Sequence, residues 1–126
     1  MGPKRPRPVV LDAGALIAID RADRYVVRLL ELADEVHVPA GALAQAWRNP
    51  VRQARLARVV GADGVRIEPL GPDGARACGQ LCGATGTADV IGASVVVLAR
   101  AVGGVVLTSD PDDLRRLDPA VNVVAC

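Results

Sequence analysis

The chain has no phenylalanine, one tryptophan (Trp47), one tyrosine (Tyr25), one histidine (His37) and one lysine (Lys4). Each scarcity excludes something. Two aromatics cannot build the stacking platform on which many single-strand nucleic-acid binders rely. A lone histidine rules out zinc sites made of two or three imidazoles and leaves one candidate for a Ser-His-Asp triad. His37 lies in Val36-His37-Val38 and reads as an ordinary strand residue. With Lys4 as the only lysine, Gly83-Ala84-Thr85-Gly86-Thr87 cannot be a P-loop, and a phosphoacceptor receiver domain lacks its late lysine. Only Gly14 follows the first strand, so the GxGxxG of a dinucleotide fold is missing too. The three cysteines show no CxxC spacing. Cys78 and Cys82, one helical turn apart, suit two buried small hydrophobes better than a zinc site. No apolar run reaches the roughly 20 residues of a membrane span. The longest, Val95 to Leu107, is broken by Arg100 and two glycines. The N-terminus lacks the apolar stretch and cleavage site of a signal peptide, so a reducing, cytoplasmic setting is expected.

What remains is 126 residues, one domain's worth, 51% hydrophobic and dominated by Val, Ala and Leu. Such a composition packs aliphatic side chains around a sheet. Residues 1–8 read as a basic, Pro-rich, disordered lead-in, and 9–126 as the domain. Strands are predicted at Val9 to Leu11, Glu35 to Val38 (stopped by Pro39), Val65 to Leu70 (an edge strand because of Pro69), Val105 to Leu107 and Val121 to Val124. Helices are predicted at Ala13 to Ile19, Tyr25 to Leu32, Ala40 to Trp47, Val51 to Val60, Asp73 to Leu81, Ala88 to Val102 and Pro111 to Leu117. Strands alternating with helices imply right-handed crossovers and a mainly parallel sheet of about five strands in a three-layer α/β/α domain.

Five carboxylates punctuate this pattern. Asp12 closes Val9-Val10-Leu11-Asp12; Asp110, Asp112 and Asp113 follow Val105-Val106-Leu107-Thr108-Ser109; Asp89 opens the long apolar helix. In an open α/β sheet, ligands bind beyond the carboxyl ends of the strands. Carboxylates converging there repel one another unless a cation lies between them, and hard oxygen ligands favour Mg²⁺ or Mn²⁺. Paired divalent ions about 4 Å apart hydrolyse phosphodiesters without a protein nucleophile. Taken singly, each acid has a plainer use: Asp12, Asp89 and Asp110 as helix caps, Asp112 and Asp113 as complements to a helix dipole.

Together these segments resemble the PIN-domain ribonucleases, in particular VapC-like toxins of bacterial toxin–antitoxin pairs, over nearly the whole span from Val9 to Val124. Val9-Val10-Leu11-Asp12-Ala13-Gly14-Ala15-Leu16 looks like the family's opening strand and first acid. Ala88-Asp89-Val90-Ile91-Gly92-Ala93-Ser94 looks like its third acidic motif, and Val106-Leu107-Thr108-Ser109-Asp110-Pro111-Asp112-Asp113-Leu114 like its closing motif. The resemblance implies an endoribonuclease with Asp12 and Asp89 as principal Mg²⁺ ligands and Asp110 completing the set. It implies that Asp113 binds through water or orients the loop. Thr108 or Ser109 would hydrogen-bond substrate or a ligand carboxylate, with Asp112 among the supporting residues. It also implies an RNA substrate, a cognate antitoxin and a homodimer.

Two departures stand out. Gln45 occupies the helix position after strand two where relatives carry a Glu; it keeps an acceptor oxygen and loses the charge. Gly92 stands where some relatives have a further acid, or else serves close packing. These departures favour the alternative of a PIN-like module that binds RNA or a protein without cutting. Between Val36 and Ala62 there is no Asp or Glu, while Arg48, Arg52, Arg55 and Arg58 would fall within a band of roughly 120° on one helix. That stripe reads either as a plain solvated face or as a contact for RNA phosphates or for an acidic antitoxin segment. Residues Tyr25 to Leu32 and Ala40 to Trp47 are expected to keep apolar surface for a dimer, with Trp47 as anchor or as a simple core residue.

Overall fold

Val9, Val10 and Leu11 begin the central strand. In the computed structural model, which describes residues 8–126, β1 runs Pro8–Leu11, so Pro8 belongs to the sheet and only residues 1–7 of the expected lead-in lie outside the described residues. The other strands are β2 (Glu35–Pro39), β3 (Val65–Glu68), β4 (Val105–Thr108) and β5 (Val123–Ala125). The helices are α1 (Ala13–Asp20), α2 (Arg24–Leu32), α3 (Ala40–Ala46), α4 (Ala54–Val60), α5 (Pro72–Thr85), α6 (Val90–Val102) and α7 (Pro111–Leu117). All strand pairs are parallel, in the order β3-β2-β1-β4-β5. This is a PIN-like three-layer α/β/α architecture.

The strand order places the site. From β1 the chain moves to β2 and β3 on one side, then returns past β1 to β4 and β5 on the other. Right-handed crossovers therefore put α1 to α4 on one face and α5 to α7 on the opposite face. The packing agrees: α1 rests on α2, α3 and α4, and α6 on α5 and α7. The order reverses between β1 and β4, which opens a crevice beyond their carboxyl ends. The N–H of Asp12 donates to the Leu107 carbonyl at 3.3 Å and holds the two loops side by side.

Val10, Leu11, Val106 and Leu107 in the two central strands are at most 1% exposed, so the floor of the crevice is fixed by the core. Cys78 and Cys82 are buried free thiols packed in that core. His37, on β2, is buried; its Nδ1 meets Glu68 Oε1 on β3 at 3.0 Å, and its Nε2 is 3.9 Å from Glu35. Among the described residues no single helix is long and apolar enough to cross a membrane.

Several boundaries differ from the sequence reading; β3 stops at Glu68, ahead of Pro69, rather than at Leu70, and α6 starts at Val90 rather than Ala88. Pro39 ends β2 rather than stopping it, because its carbonyl side remains free to pair. α5 continues to Thr85, four residues beyond Leu81, where the glycines suggested a loop. β5 starts at Val123, because Asp118 Oδ1 accepts from Ala120 N–H at 2.9 Å and keeps Val121 in a turn. The largest difference concerns the arginines. The predicted helix from Val51 begins only at Ala54. Gln53 causes this: its Oε1 accepts from the N–H groups of Arg48 (2.7 Å) and Asn49 (3.0 Å), and its Nε2 donates to Ala46 (2.9 Å). A side chain that satisfies three loop groups competes with helix. Arg48 and Arg52 therefore sit in the α3–α4 connection and only Arg55 and Arg58 on α4, so the four form no single helical stripe.

Candidate active site

The crevice at the β1/β4 reversal has a volume of about 220 Å³, and its wall carries Asp12, Gln45, Asp89, Ser109, Asp110 and Asp113. Residues from four separate chain regions thus meet in one space. Gly92, Ile91, Val95 and Leu114 supply the small and apolar lining. Asp112 is not on this wall; it is exposed and lies 3.6 Å from Arg115 on the outer side of α7. Arg48, Arg52, Arg55 and Arg58 do not line it either. Arg48 donates to the carbonyls of Ala44 and Trp47, and Arg55 to that of Asp20.

Each acid is held by its own element. Asp12 is the N-cap of α1, with Oδ1 accepting from Ala15 N–H at 2.9 Å. Burial raises its pKa above the ordinary carboxylate value, against hydrogen bonds from Thr108, Ala15 and Gly14; the negative charge of Asp110 adds to the rise. Thr108 is fully buried, and its Oγ1 also accepts from Asp110 N–H at 2.9 Å. Asp89 caps α6, with Oδ1 accepting from Gly92 N–H at 2.9 Å. Asp110 occupies the N-cap position of α7 but its side chain makes no cap bond. It turns to Asp113 instead. A hydrogen bond between the two carboxyl groups raises the pKa of Asp113, and the negative charge of Asp110 raises it further. Arg116, 3.3 Å from Asp113, opposes that rise.

Two glycines allow these groups to approach. A Cβ on Gly14 would fall on the Ser109 side chain, so the loops after β1 and β4 can meet only with glycine there. A Cβ on Gly92 would fall on the Asp89 carboxylate, which folds back over the first turn of α6. Gly92 is therefore tied to the position of Asp89 rather than being a spare site for another acid. Sequence reasoning missed the Gly14–Ser109 contact and the role of Arg116, although its i,i+3 spacing from Asp113 was visible.

The donor set suits a hard divalent cation in kind. It consists of carboxylate oxygens and one amide, at charges that repel in its absence. Capping engages Oδ1 of Asp12 and of Asp89, and the Asp12 carboxylate accepts from Thr108 and Gly14 as well. Among the described residues, however, no three His, Cys, Asp or Glu side chains stand close enough together to grip one ion as they lie. Asp89 and Asp110 are exposed to solvent at the crevice.

No family profile matches the sequence, and no curated protein does. Solved structures do match in fold. VapC20 of Mycobacterium tuberculosis, described as a Sarcin-Ricin loop cleaving toxin, is similar with a TM-score of 0.60 and 16% identity, over 78% of this chain and 86% of that one. FitAcB from Neisseria gonorrhoeae gives 0.64 and 18%, over 91% and 95%. VapBC2 from Rickettsia felis, bound to a fragment of its promoter DNA, gives 0.65 and 13%, over 94% and 98%. At these identities the likeness concerns the fold, and it extends over nearly the whole domain.

Proposed function

We propose that this protein is the toxin of a type II toxin–antitoxin pair and acts as a Mg²⁺- or Mn²⁺-dependent endoribonuclease in the cytoplasm. The observation that carries the reading is the convergence of Asp12, Asp89, Asp110 and Asp113 on one crevice of a PIN-like fold. Asp12 and Asp89 are the principal ligands in this reading, Asp110 completes the set, and Asp113 orients Asp110. A bound cation would supply the Lewis acidity for hydrolysing an RNA phosphodiester. Ser109 at the rim is free to bond substrate, while buried Thr108 orients Asp12. The exposed arginines at 48, 52, 55 and 58 are proposed contacts for RNA phosphates or for an antitoxin, although they do not act as one helix face.

A second reading has an observation of its own. Gln45 lines the crevice as a neutral amide, which weakens the pull on a cation and favours a module that binds RNA or protein without cutting. A Mn²⁺ titration together with cleavage of total RNA distinguishes the two. The nuclease should take up Mn²⁺, cut RNA, and lose both in Asp12→Asn and Asp89→Asn while staying folded. Undiminished cleavage by Asp89→Asn would remove Asp89 from the site; absence of Mn²⁺ uptake and of cleavage would leave the binding module.

A further inference from the structure

The acid crevice does not end at Asp113. A second recess of about 310 Å³ continues it, sharing Asp89 and Asp113 and bounded beyond them by Thr85, Thr87 and Arg116. The crevice wall carries four carboxylates and no cation, an unfavourable surface for a polyanion; the recess presents Arg116. We propose that Arg116 and Thr87 hold the RNA phosphate next to the one that is hydrolysed. The inference rests on the nuclease reading and names where the strand runs.

Four features support it. Arg116 is paired only loosely: its Nη1 is 3.3 Å from Asp113, and the side chain is 79% exposed. Exposed pairs of this kind exchange readily. The remaining N–H groups of its guanidinium form a planar fork that matches two oxygens of a phosphate. Thr87 Oγ1 accepts the N–H of Asp89 at 3.1 Å, and a hydroxyl that accepts still has its own proton to donate. Thr85 is committed elsewhere, donating to the Leu81 carbonyl at 2.8 Å, so Thr87 is the donor that faces the strand. No aromatic residue borders the recess, which suits it to backbone rather than base. Finally, Asp113 joins the two sites: once its charge serves the crevice, Arg116 is released to the phosphate.

Arg115 provides the control. It lies on the same helix, carries the same charge, pairs with Asp112 at 3.6 Å and does not border the recess. The experiment measures kcat and KM on a fluorescent single-stranded RNA that the full-length protein cuts with Mn²⁺, over a salt series, alongside a Mn²⁺ titration. Arg116→Ala should raise KM about tenfold with little change in kcat, as loss of a charged hydrogen bond predicts. It should lower the salt slope by about 0.7 and leave the Mn²⁺ isotherm unchanged. Arg116→Lys should recover part of the affinity, and Arg115→Ala should resemble wild type. Equal effects of Arg116→Ala and Arg115→Ala would overturn the proposal in favour of general charge. A shifted Mn²⁺ isotherm in Arg116→Ala would overturn it in favour of positioning Asp113. If the wild-type protein cuts nothing, the nuclease reading falls. The recess is then judged separately from the anisotropy of uncut RNA, where the same difference in salt slope between the two variants sustains or ends it.

Discussion

Asp12 and Thr108, at the carboxyl ends of adjacent strands, are joined by a hydrogen bond from the threonine hydroxyl to the carboxylate, and the same Oγ1 accepts the Asp110 N–H at 2.9 Å. One buried hydroxyl thus connects the acid after β1 to the acid after β4. Thr108→Val keeps the shape and removes both bonds, leaving a partly buried carboxylate and an N–H with one partner fewer. The expected loss is about 1–3 kcal/mol of stability, with weaker Mn²⁺ binding, whereas Thr108→Ser should retain most of both. Chemical denaturation and a Mn²⁺ titration check it; a Val variant as stable and as tightly binding as wild type would remove Thr108 from the site's support.

Burial holds the Asp12 pKa above its ordinary value, and the Ala120 N–H and Arg100 hold that of Asp118 below. The signs of their pH effects are opposite. For Asp12 the folded form binds its proton more tightly than the unfolded chain, so ionisation costs stability at neutral pH. That cost is relieved as pH falls through the raised pKa toward 3.8. For Asp118 stability is present above 3.8 and is lost as pH falls through the lowered value. In metal-free protein, Asp12→Asn should therefore melt higher than wild type at pH 7 by a margin that narrows in acid, less the contribution of its cap. Asp118→Asn should melt lower at pH 7, and its deficit should also narrow in acid. Thermal melts between pH 3 and 7 in chelator provide the comparison, and an Asp12→Asn margin that widens in acid would reverse the assignment.

Gly92 and Asp89 cannot both keep their places if Gly92 gains a methyl group. Gly92→Ala should improve intrinsic helix propensity by up to about 1 kcal/mol but displace the carboxylate that caps α6, a loss of about 0.5–2 kcal/mol. The net change in melting temperature should be small, and the change in Mn²⁺ affinity large. A Gly92→Ala variant with wild-type Mn²⁺ affinity would show that Asp89 can serve the crevice from another rotamer.

Gln45 lies on the same wall as the four acids. Gln45→Glu should strengthen Mn²⁺ binding and raise cleavage if the crevice is a metal site, because it adds a charged oxygen donor at that wall. Without metal the same variant should be destabilised by added like-charge repulsion. An isotherm that does not move would assign Gln45 to substrate or solvent.

How much of this was legible in the sequence follows from the range of the forces involved. All five strands and seven helices carry apolar periodicity or runs that local reading detects, and the acids Asp12, Asp89 and Asp110 sit at element ends marked by that change of period. What was not legible depends on side chains acting across a gap. Gln53 breaks the helix at Arg52 by bonding backbone five residues upstream, which composition does not reveal. Gly14 is required by Ser109, ninety-five positions later, and Arg116 borders the recess beside the crevice only because α7 turns it next to Asp113. By spacing alone Asp112 and Asp113 are equivalent complements to the helix dipole, and only the resemblance separates them; the helix rotation of about 100° between them sends one to Arg115 and the other to Asp110.

The remaining prediction concerns assembly. α2 buries Val26 fully, yet Tyr25 is 55% exposed and Leu32 57% exposed. Seven residues apart on a helix, the two share a face. Arg28 and Glu31, 3.2 Å apart, provide a polar pair beside them. An apolar stripe with a charged rim is the anatomy of an association surface, and two-fold dimers are the commonest closed assembly. Trp47, which the sequence offers as anchor or as a simple core residue, is partly buried and packs against the core, which favours the second role. The expected outcome is a homodimer at micromolar concentration that Tyr25→Glu with Leu32→Glu converts to monomer without loss of fold. Trp47→Ala should instead lower the melting temperature and leave the mass unchanged. Light scattering with circular dichroism decides between the two surfaces. A wild-type monomer over the whole concentration range ends the dimer, and a dimer lost in Trp47→Ala but kept in the double variant moves the interface from α2 to the end of α3.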